Sequence, residues 1–224
     1  MSYQSFSKSV WIITYFFCRF FIRPFYKFKI QIHPDLDLDM KAPVLIIANH
    51  RSMLDPWIIS GSLPFDTFRQ LLPIRMLGSK IYHDPFLKFI NRIGIIPFVY
   101  FLYNVIPVDG ETFEEKISGP VRALEAGQSV FMFPEGKINL KSETVIAEFK
   151  KGAVAIERET HVPILPVFVY YKKNPTGFRT KCVVKFDKLT TLPERARQSL
   201  EEQEMYALDA KYLRKKVLGL ARVL

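Results

Sequence analysis

A histidine and an aspartate stand five positions apart in Asn49-His50-Arg51-Ser52-Met53-Leu54-Asp55-Pro56. An imidazole can accept a proton near neutral pH, and a carboxylate within reach can hold one ring nitrogen protonated while the other stays free. That is the His-Asp half of a charge-stabilised triad, with a substrate's own hydroxyl as the nucleophile. Alone the spacing is common, because an isolated histidine is more often a hydrogen-bonded structural residue.

Two further clusters add chemistry. In Phe133-Pro134-Glu135-Gly136-Lys137, Gly136 lets backbone approach a ligand, and Glu135 offers a carboxylate that either contacts that ligand or is salt-bridged beneath the site. Lys150-Lys151-Gly152-Ala153 supplies basic side chains ahead of Val162-Pro163-Ile164-Leu165-Pro166-Val167. Arg51 and Ser52 flank His50 and are expected to shape the turn or an acceptor pocket. His33, His83 and His161 have no partner pattern and read as structural. No metal site is expected, since His50 and Asp55 lack further ligands at suitable spacing.

The elements around these clusters must be strands that end where the polar residues begin. Pro43–Ala48 (PVLIIA) is a short, branched apolar run, and Ser129–Phe133 (SVFMF) repeats the signal, so both clusters emerge at carboxyl ends of strands. A helix from Leu54 onward lets Asp55 turn back toward His50. Thr112 and Glu115 form a capping-box pattern ahead of an apolar stripe at Phe113, Ile117, Val121 and Leu124, with Gly127 as the stop. Phe149–Glu159 suits a helix, and ILPVFVYY and TKCVVKF suit strands. Strands alternating with helices predict an α/β domain whose central sheet is mostly parallel and flanked by helices. Pro193–Leu224 reads as an amphipathic helix closing the domain, with Leu200, Leu208, Leu213 and Val217 near helical spacing. The apolar stretch from Gly94 to Ile106 is either core or a second membrane-dipping patch.

The chain has 32 basic and 22 acidic residues among 224, a net charge of +10, which favours a polyanionic partner. Its 20 phenylalanines favour a lipid surface over nucleic acid, and no nucleic-acid partner is expected. Residues 1–34 contain no acidic side chain and mix Lys8, Arg19, Arg23, Lys27 and Lys29 with Trp11, Tyr15 and many phenylalanines. They are expected to be a helical membrane-anchoring segment, ahead of a catalytic domain over residues 35–224. Arg19 interrupts the apolar run, which is too short for a spanning helix. Cys18 and Cys182 form neither a metal cluster nor a disulfide framework and read as buried or lipid-facing thiols.

In combination and order, NHRSMLDP, IPVDG (Ile106–Gly110), FPEGK and VPILPV resemble the four blocks of the glycerolipid acyltransferase superfamily, of which lysophosphatidic acid acyltransferase (1-acyl-glycerol-3-phosphate acyltransferase) is the best-known member type. The resemblance covers about residues 42–170. It implies that His50 deprotonates an acceptor hydroxyl, that the alkoxide attacks the thioester of acyl-CoA or acyl-carrier-protein, and that Asp55 stabilises the imidazolium. It further implies acceptor binding by Asn49, Arg51 and Ser52 in the first block, Asp109 and Gly110 in the second, and Pro134, Glu135, Gly136 and Lys137 in the third. Acyl-CoA or acyl-carrier-protein enters as co-substrate, with no bound cofactor, and membrane lipids are the other partner.

Two positions depart from the family pattern. Gly110 and Ile138 stand where arginines are usual, and arginines are natural phosphate ligands. Either Lys137, Lys141, Lys150 or Lys151 supplies the charge, or the acceptor is another lysophospholipid, a lyso-aminolipid or a glycolipid. A lipid-binding protein without activity is the rival from another class, and a lipid hydrolase is disfavoured because no G-x-S-x-G segment occurs. The expected location is a membrane surface, on the cytoplasmic face of a bacterial inner membrane.

Overall fold

The structure, a computed structural model, describes residues 3–36, 43–79, 84–139, 146–172, 179–194 and 202–221. His83, Lys141 and Leu200 lie outside the described residues.

Seven strands among the described residues form one sheet in the order β1-β7-β6-β2-β5-β3-β4. They are β1 (Tyr26–Ile32), β2 (Leu45–Ala48), β3 (Ile74–Gly78), β4 (Ile106–Pro107), β5 (Ser129–Met132), β6 (Ile164–Lys172) and β7 (Thr180–Phe186). β2 lies between β5 and β6 and is parallel to both. β3 is parallel to β5 and to β4, β1 is parallel to β7, and β6–β7 is the antiparallel pair. The expected α/β architecture with a mostly parallel sheet is what forms.

Strand alternation explains why β2 carries no polar residue. Ile46 and Ala48 point into a core shared with α1 (Tyr3–Phe17), α2 (Asp55–Ser60), α3 (Phe65–Gln70) and α5 (Ile95–Tyr103), whereas Leu45 and Ile47 enter a second core on the opposite face. That second core is completed by α6 (Phe113–Glu125), α7 (Gly152–Thr160) and α8 (Glu202–Ala221). Each fully buried Leu or Ile contributes on the order of 1.5–3 kcal/mol.

The capping box forms as expected, with Thr112 Oγ1 accepting from Glu115 N at 3.2 Å. The carboxyl-terminal helix closes the domain: Leu213 and Val217 are buried, and the buried Asp209 accepts from Arg158 of α7 at 2.6 Å. Leu208, expected on that apolar face, is exposed instead.

The amino-terminal segment differs from its expectation. It is helical only to Phe25, as α1, a π-helical turn at Cys18–Ile22 and a 3-10 turn at Arg23–Phe25. Tyr26–Ile32 then joins the sheet as edge strand β1, so a boundary at residue 34 cuts behind a strand of the central sheet. One face of α1 also belongs to the core: Trp11 Nε1 donates to Ile74 O and Tyr15 OH to Leu63 O, both at 2.9 Å. Ile13, Phe16 and Phe17 of α1, and Phe20 and Phe21 of the π-helical turn, are exposed.

Between β3 and β4, two parallel strands that require a crossover, lie α4 (Pro85–Arg92) and α5 (Ile95–Tyr103). They form a hairpin bent by 73°. No single helix among the described residues is long and apolar enough to cross a membrane.

Candidate active site

The chain leaves β2 through Asn49, whose side chain continues the ladder that the backbone abandons. Its Nδ2 donates to Val169 O at 2.9 Å and its Oδ1 accepts from Val169 N at 2.8 Å, in full burial. The backbone is thereby free to turn at His50. Asn49 is a structural clamp, which corrects the expectation that it binds acceptor.

Asp55 opens α2 and points back into that turn. Its Oδ2 lies 2.9 Å from His50 Nδ1 and accepts from the backbone N–H of Arg51 at 2.6 Å and of Ser52 at 2.8 Å. Its Oδ1 accepts from the Tyr171 hydroxyl at 2.7 Å. A carboxylate can only accept, so the hydrogen of the His50 contact lies on Nδ1, and Nε2 is the nitrogen left for a substrate. The imidazole is stacked on Phe133, with centroids 3.7 Å apart and planes 7° from parallel. Asp55 is fully buried, whereas the His50 side chain keeps 17% of its surface exposed, enough for a reactant to meet it.

Tyr171 and Cys182 stay protonated beside this carboxylate. Burial, and then the charge of Asp55, raises the Tyr171 phenol far above its ordinary range, so it serves as a donor. Burial, with a smaller contribution from Asp55, pushes the Cys182 thiol up to about 12.

Glu135 does not face a substrate, and its role as a ligand is corrected. It is buried: Oε1 accepts from His50 N and Oε2 from Ala147 N, both at 2.9 Å. Its partners are backbone N–H groups, and among the described residues it forms none of the salt bridges considered for it. Asn139 N donates to His50 O at 2.8 Å, so the loop after β5 grips the peptide groups on both sides of His50. Ala147 is held in turn by α8, through Arg214 Nε and the Ala147 carbonyl at 2.9 Å.

The other expected site residues divide. Ser52 Oγ accepts from Leu54 N at 3.2 Å and shapes the turn. Pro134 is buried, and its carbonyl accepts from Lys150 N at 2.9 Å, a correction to the expected acceptor contact. Gly136 adopts φ +71°, and a Cβ there would lie 2.7 Å from Lys150 Nζ, so the glycine makes room for that ammonium beside the turn. Lys137 is exposed at the same turn. Lys151 turns away: its Nζ lies 4.2 Å from the ring centroid of Phe113 on α6, a further correction. Asp109 Oδ1 accepts from Ser79 Oγ at 2.8 Å beyond the ends of β4 and β3. A Cβ on Gly110 would come within 2.6 Å of Glu115 Cβ, so the arginine usual at this position has no room with α6 where it stands.

Sequence reasoning missed Tyr171 and the stacking role of Phe133. Phe133 was visible as the residue that ends the strand before Pro134. Tyr171 carries no local signal, since only the β2–β6 pairing brings it to Asp55.

The Acyltransferase family model matches residues 29–170. The chain belongs to the Acyltransferase family. The matched span holds His50, Asp55, Asp109, Gly110, Glu135 and Lys150, and stops one residue before Tyr171. Among curated proteins, this acyltransferase-family chain is similar to "1-acyl-sn-glycerol-3-phosphate acyltransferase BAT2, chloroplastic" of Brassica napus, 30% identical over 70% of this chain and 41% of that one. It is also similar to the 1-acyl-sn-glycerol-3-phosphate acyltransferase of Borreliella burgdorferi, 27% identical over 65% of this chain and 53% of that one. The chain thus spans about half, or less, of the length of these relatives. The crystal structure of the 1-acyl-sn-glycerophosphate (LPA) acyltransferase PlsC from Thermotoga maritima has the same fold, with a TM-score of 0.52 at 16% identity over 98% of this chain and 78% of that one.

Proposed function

We propose that this acyltransferase-family protein transfers a fatty acyl group from acyl-CoA or acyl-carrier-protein to a lysolipid hydroxyl, with 1-acyl-sn-glycerol-3-phosphate as acceptor and phosphatidic acid as product. The observation that carries the reading is the 2.9 Å contact between His50 Nδ1 and a buried Asp55 carboxylate at the carboxyl edge of a parallel sheet. Its similarity to 1-acyl-sn-glycerol-3-phosphate acyltransferases supports this choice of acceptor.

In the proposed reaction, His50 Nε2 takes the acceptor hydroxyl proton as the oxygen attacks the thioester carbonyl. Asp55 holds Nδ1–H and stabilises the imidazolium. Collapse of the tetrahedral intermediate breaks the carbon–sulfur bond, and the departing thiolate takes the proton from His50 as the ester forms. Lys137 and Lys150 at the Gly136 turn are the cations that would meet the acceptor phosphate in place of the two usual arginines. The reaction is placed at a membrane surface, on the side that holds the thioester, with the exposed aromatic face of residues 3–25 in contact with lipid.

The test is transfer of labelled acyl groups from both thioesters to a panel of lysolipids, comparing the native chain with His50→Ala. Loss of about 10²–10⁴-fold in the variant is expected for removal of a general base. If the native chain acylates no acceptor in the panel, the binding-protein reading replaces this one.

A further inference from the structure

The α4–α5 hairpin presents an outer surface that a water-facing crossover would not carry. Phe86, Phe89, Ile93, Ile95 and Phe98 are each 48–65% exposed. Ile93 and Ile95 flank Gly94, which turns the chain at φ +85° with nothing within 4 Å of its Cβ position. The tip of the hairpin is thus an apolar loop open to its surroundings, where polar residues are the rule.

The inner side of the same hairpin is firmly built. Tyr100 OH donates to Ser79 O at 2.6 Å, Ile96 is buried, and the Tyr103 ring lies 4.9 Å from Trp11 of α1 and 5.8 Å from Trp57 of α2. Phe101 meets Phe6 of α1 at 5.9 Å, which ties the hairpin to the exposed aromatic face of the amino-terminal segment. Its outer phenylalanines are therefore held in place by a rigid base.

Charge selects the occupant. Residues 85–103 carry Lys88 and Arg92, both exposed, and no acidic side chain, as residues 3–34 carry none. α5 has nine residues and spans about 14 Å, against about 30 Å for a bilayer's hydrocarbon core, so the hairpin reaches into one leaflet only. Apolar side chains mixed with cations and no anion suit the boundary between headgroups and acyl chains of an anionic leaflet.

We infer that the α4–α5 hairpin is a second lipid-docking element, which seats together with the outer face of α1 in one anionic leaflet. The contacts Trp11–Tyr103–Trp57 connect this seat to α2, the helix that begins at Asp55. The inference deepens the proposed reaction by saying how the site is held against the membrane, and it rests on that reading for the lipid nature of the acceptor and the lipid contact of the amino-terminal segment.

The experiment compares the full chain with Phe89→Glu/Phe98→Glu on vesicles of phosphatidylcholine with and without phosphatidylglycerol. A polarity-sensitive dye is placed on Ile93→Cys, the native cysteines being buried. Vesicle binding is expected to fall about tenfold in the double variant at unchanged melting temperature, native binding to weaken with salt, and the dye to shift blue on phosphatidylglycerol vesicles. Unchanged binding with an unshifted dye overturns the inference. So does a native dimer that the double variant dissociates with no change in vesicle binding, because a second copy then covers the hairpin. Binding is read without turnover: a native chain that binds through the hairpin but transfers no acyl group would sink the reaction and leave the docking surface standing. Where transfer is present, the double variant keeps its rate on a monomeric short-chain acceptor and loses it on vesicle-held acceptor.

Discussion

The Tyr171 hydroxyl lies 2.7 Å from Asp55 Oδ1, across 116 residues of sequence. The remaining oxygen of that carboxylate is taken by His50 Nδ1 and two backbone N–H groups, so the phenol closes its coordination. Burial keeps the phenol protonated, and its hydrogen points at the carboxylate.

Tyr171→Phe removes a donor that spreads the negative charge of Asp55. The carboxylate then attracts an imidazolium more strongly, so the acid limb of the kcat/KM profile moves to higher pH by a few tenths of a unit. Loss of a hydrogen bond to a charged group costs about 1.5–3 kcal/mol of stability. A pH–rate profile together with thermal denaturation checks both; an unmoved acid limb would show the tyrosine to be structural only.

Glu135→Gln keeps the size of the side chain but turns an NH2 group toward a backbone N–H, at His50 or at Ala147. The donor–donor contact costs about 1–3 kcal/mol. Because one partner is the His50 peptide, kcat is expected to fall while KM for the acyl thioester stays level. A melting temperature equal to that of the native chain would contradict a Glu135 clamp between His50 and Ala147.

Lys150→Gln removes the ammonium packed beside Gly136. For a phosphate-bearing acceptor KM is expected to rise about tenfold, equivalent to about 1.4 kcal/mol. Steady-state kinetics on 1-acyl-sn-glycerol-3-phosphate and on an uncharged lysolipid separate a charge effect from a general one, since only the former acceptor is affected.

Burial pushes the Cys18 thiol up to about 11 and the Cys182 thiol up to about 12, from an ordinary value of 9.0. Below pH 9 both are protonated whether the chain is folded or not, and stability does not depend on them. Above it the unfolded chain loses their protons first, so stability falls between pH 9 and about 11–12, by about 1.4 kcal/mol per pH unit for each thiol. Denaturant melts of the native chain and of Cys182→Ala should show a shallower alkaline decline in the variant.

Much of the site was legible because its signals are local. His50 and Asp55 sit five residues apart across a strand end and a helix start, and backbone geometry over so short a span leaves few ways for them to miss each other. The apolar runs that became β2, β5, β6 and β7, and the capping box of α6, were equally local. Strand β1 also has a local signal: Tyr26, Phe28, Ile30 and Ile32 alternate with Lys27, Lys29 and Gln31, a period of two masked by the aromatic content of the residues before it.

The sequence by itself determined the α/β class, the family blocks and the pairing of His50 with Asp55, because periodicity and short-range spacing act within a few residues. Only the tertiary structure decided which polar groups face a substrate and which hold the frame. Asn49 clamps Val169, Glu135 clamps His50 to Ala147, Tyr171 completes Asp55, and Lys151 leaves for Phe113. A carboxylate or amide has the same letter whether it binds ligand or backbone. What separates the two is desolvation, and burial is set by the packing of strands far apart in the chain.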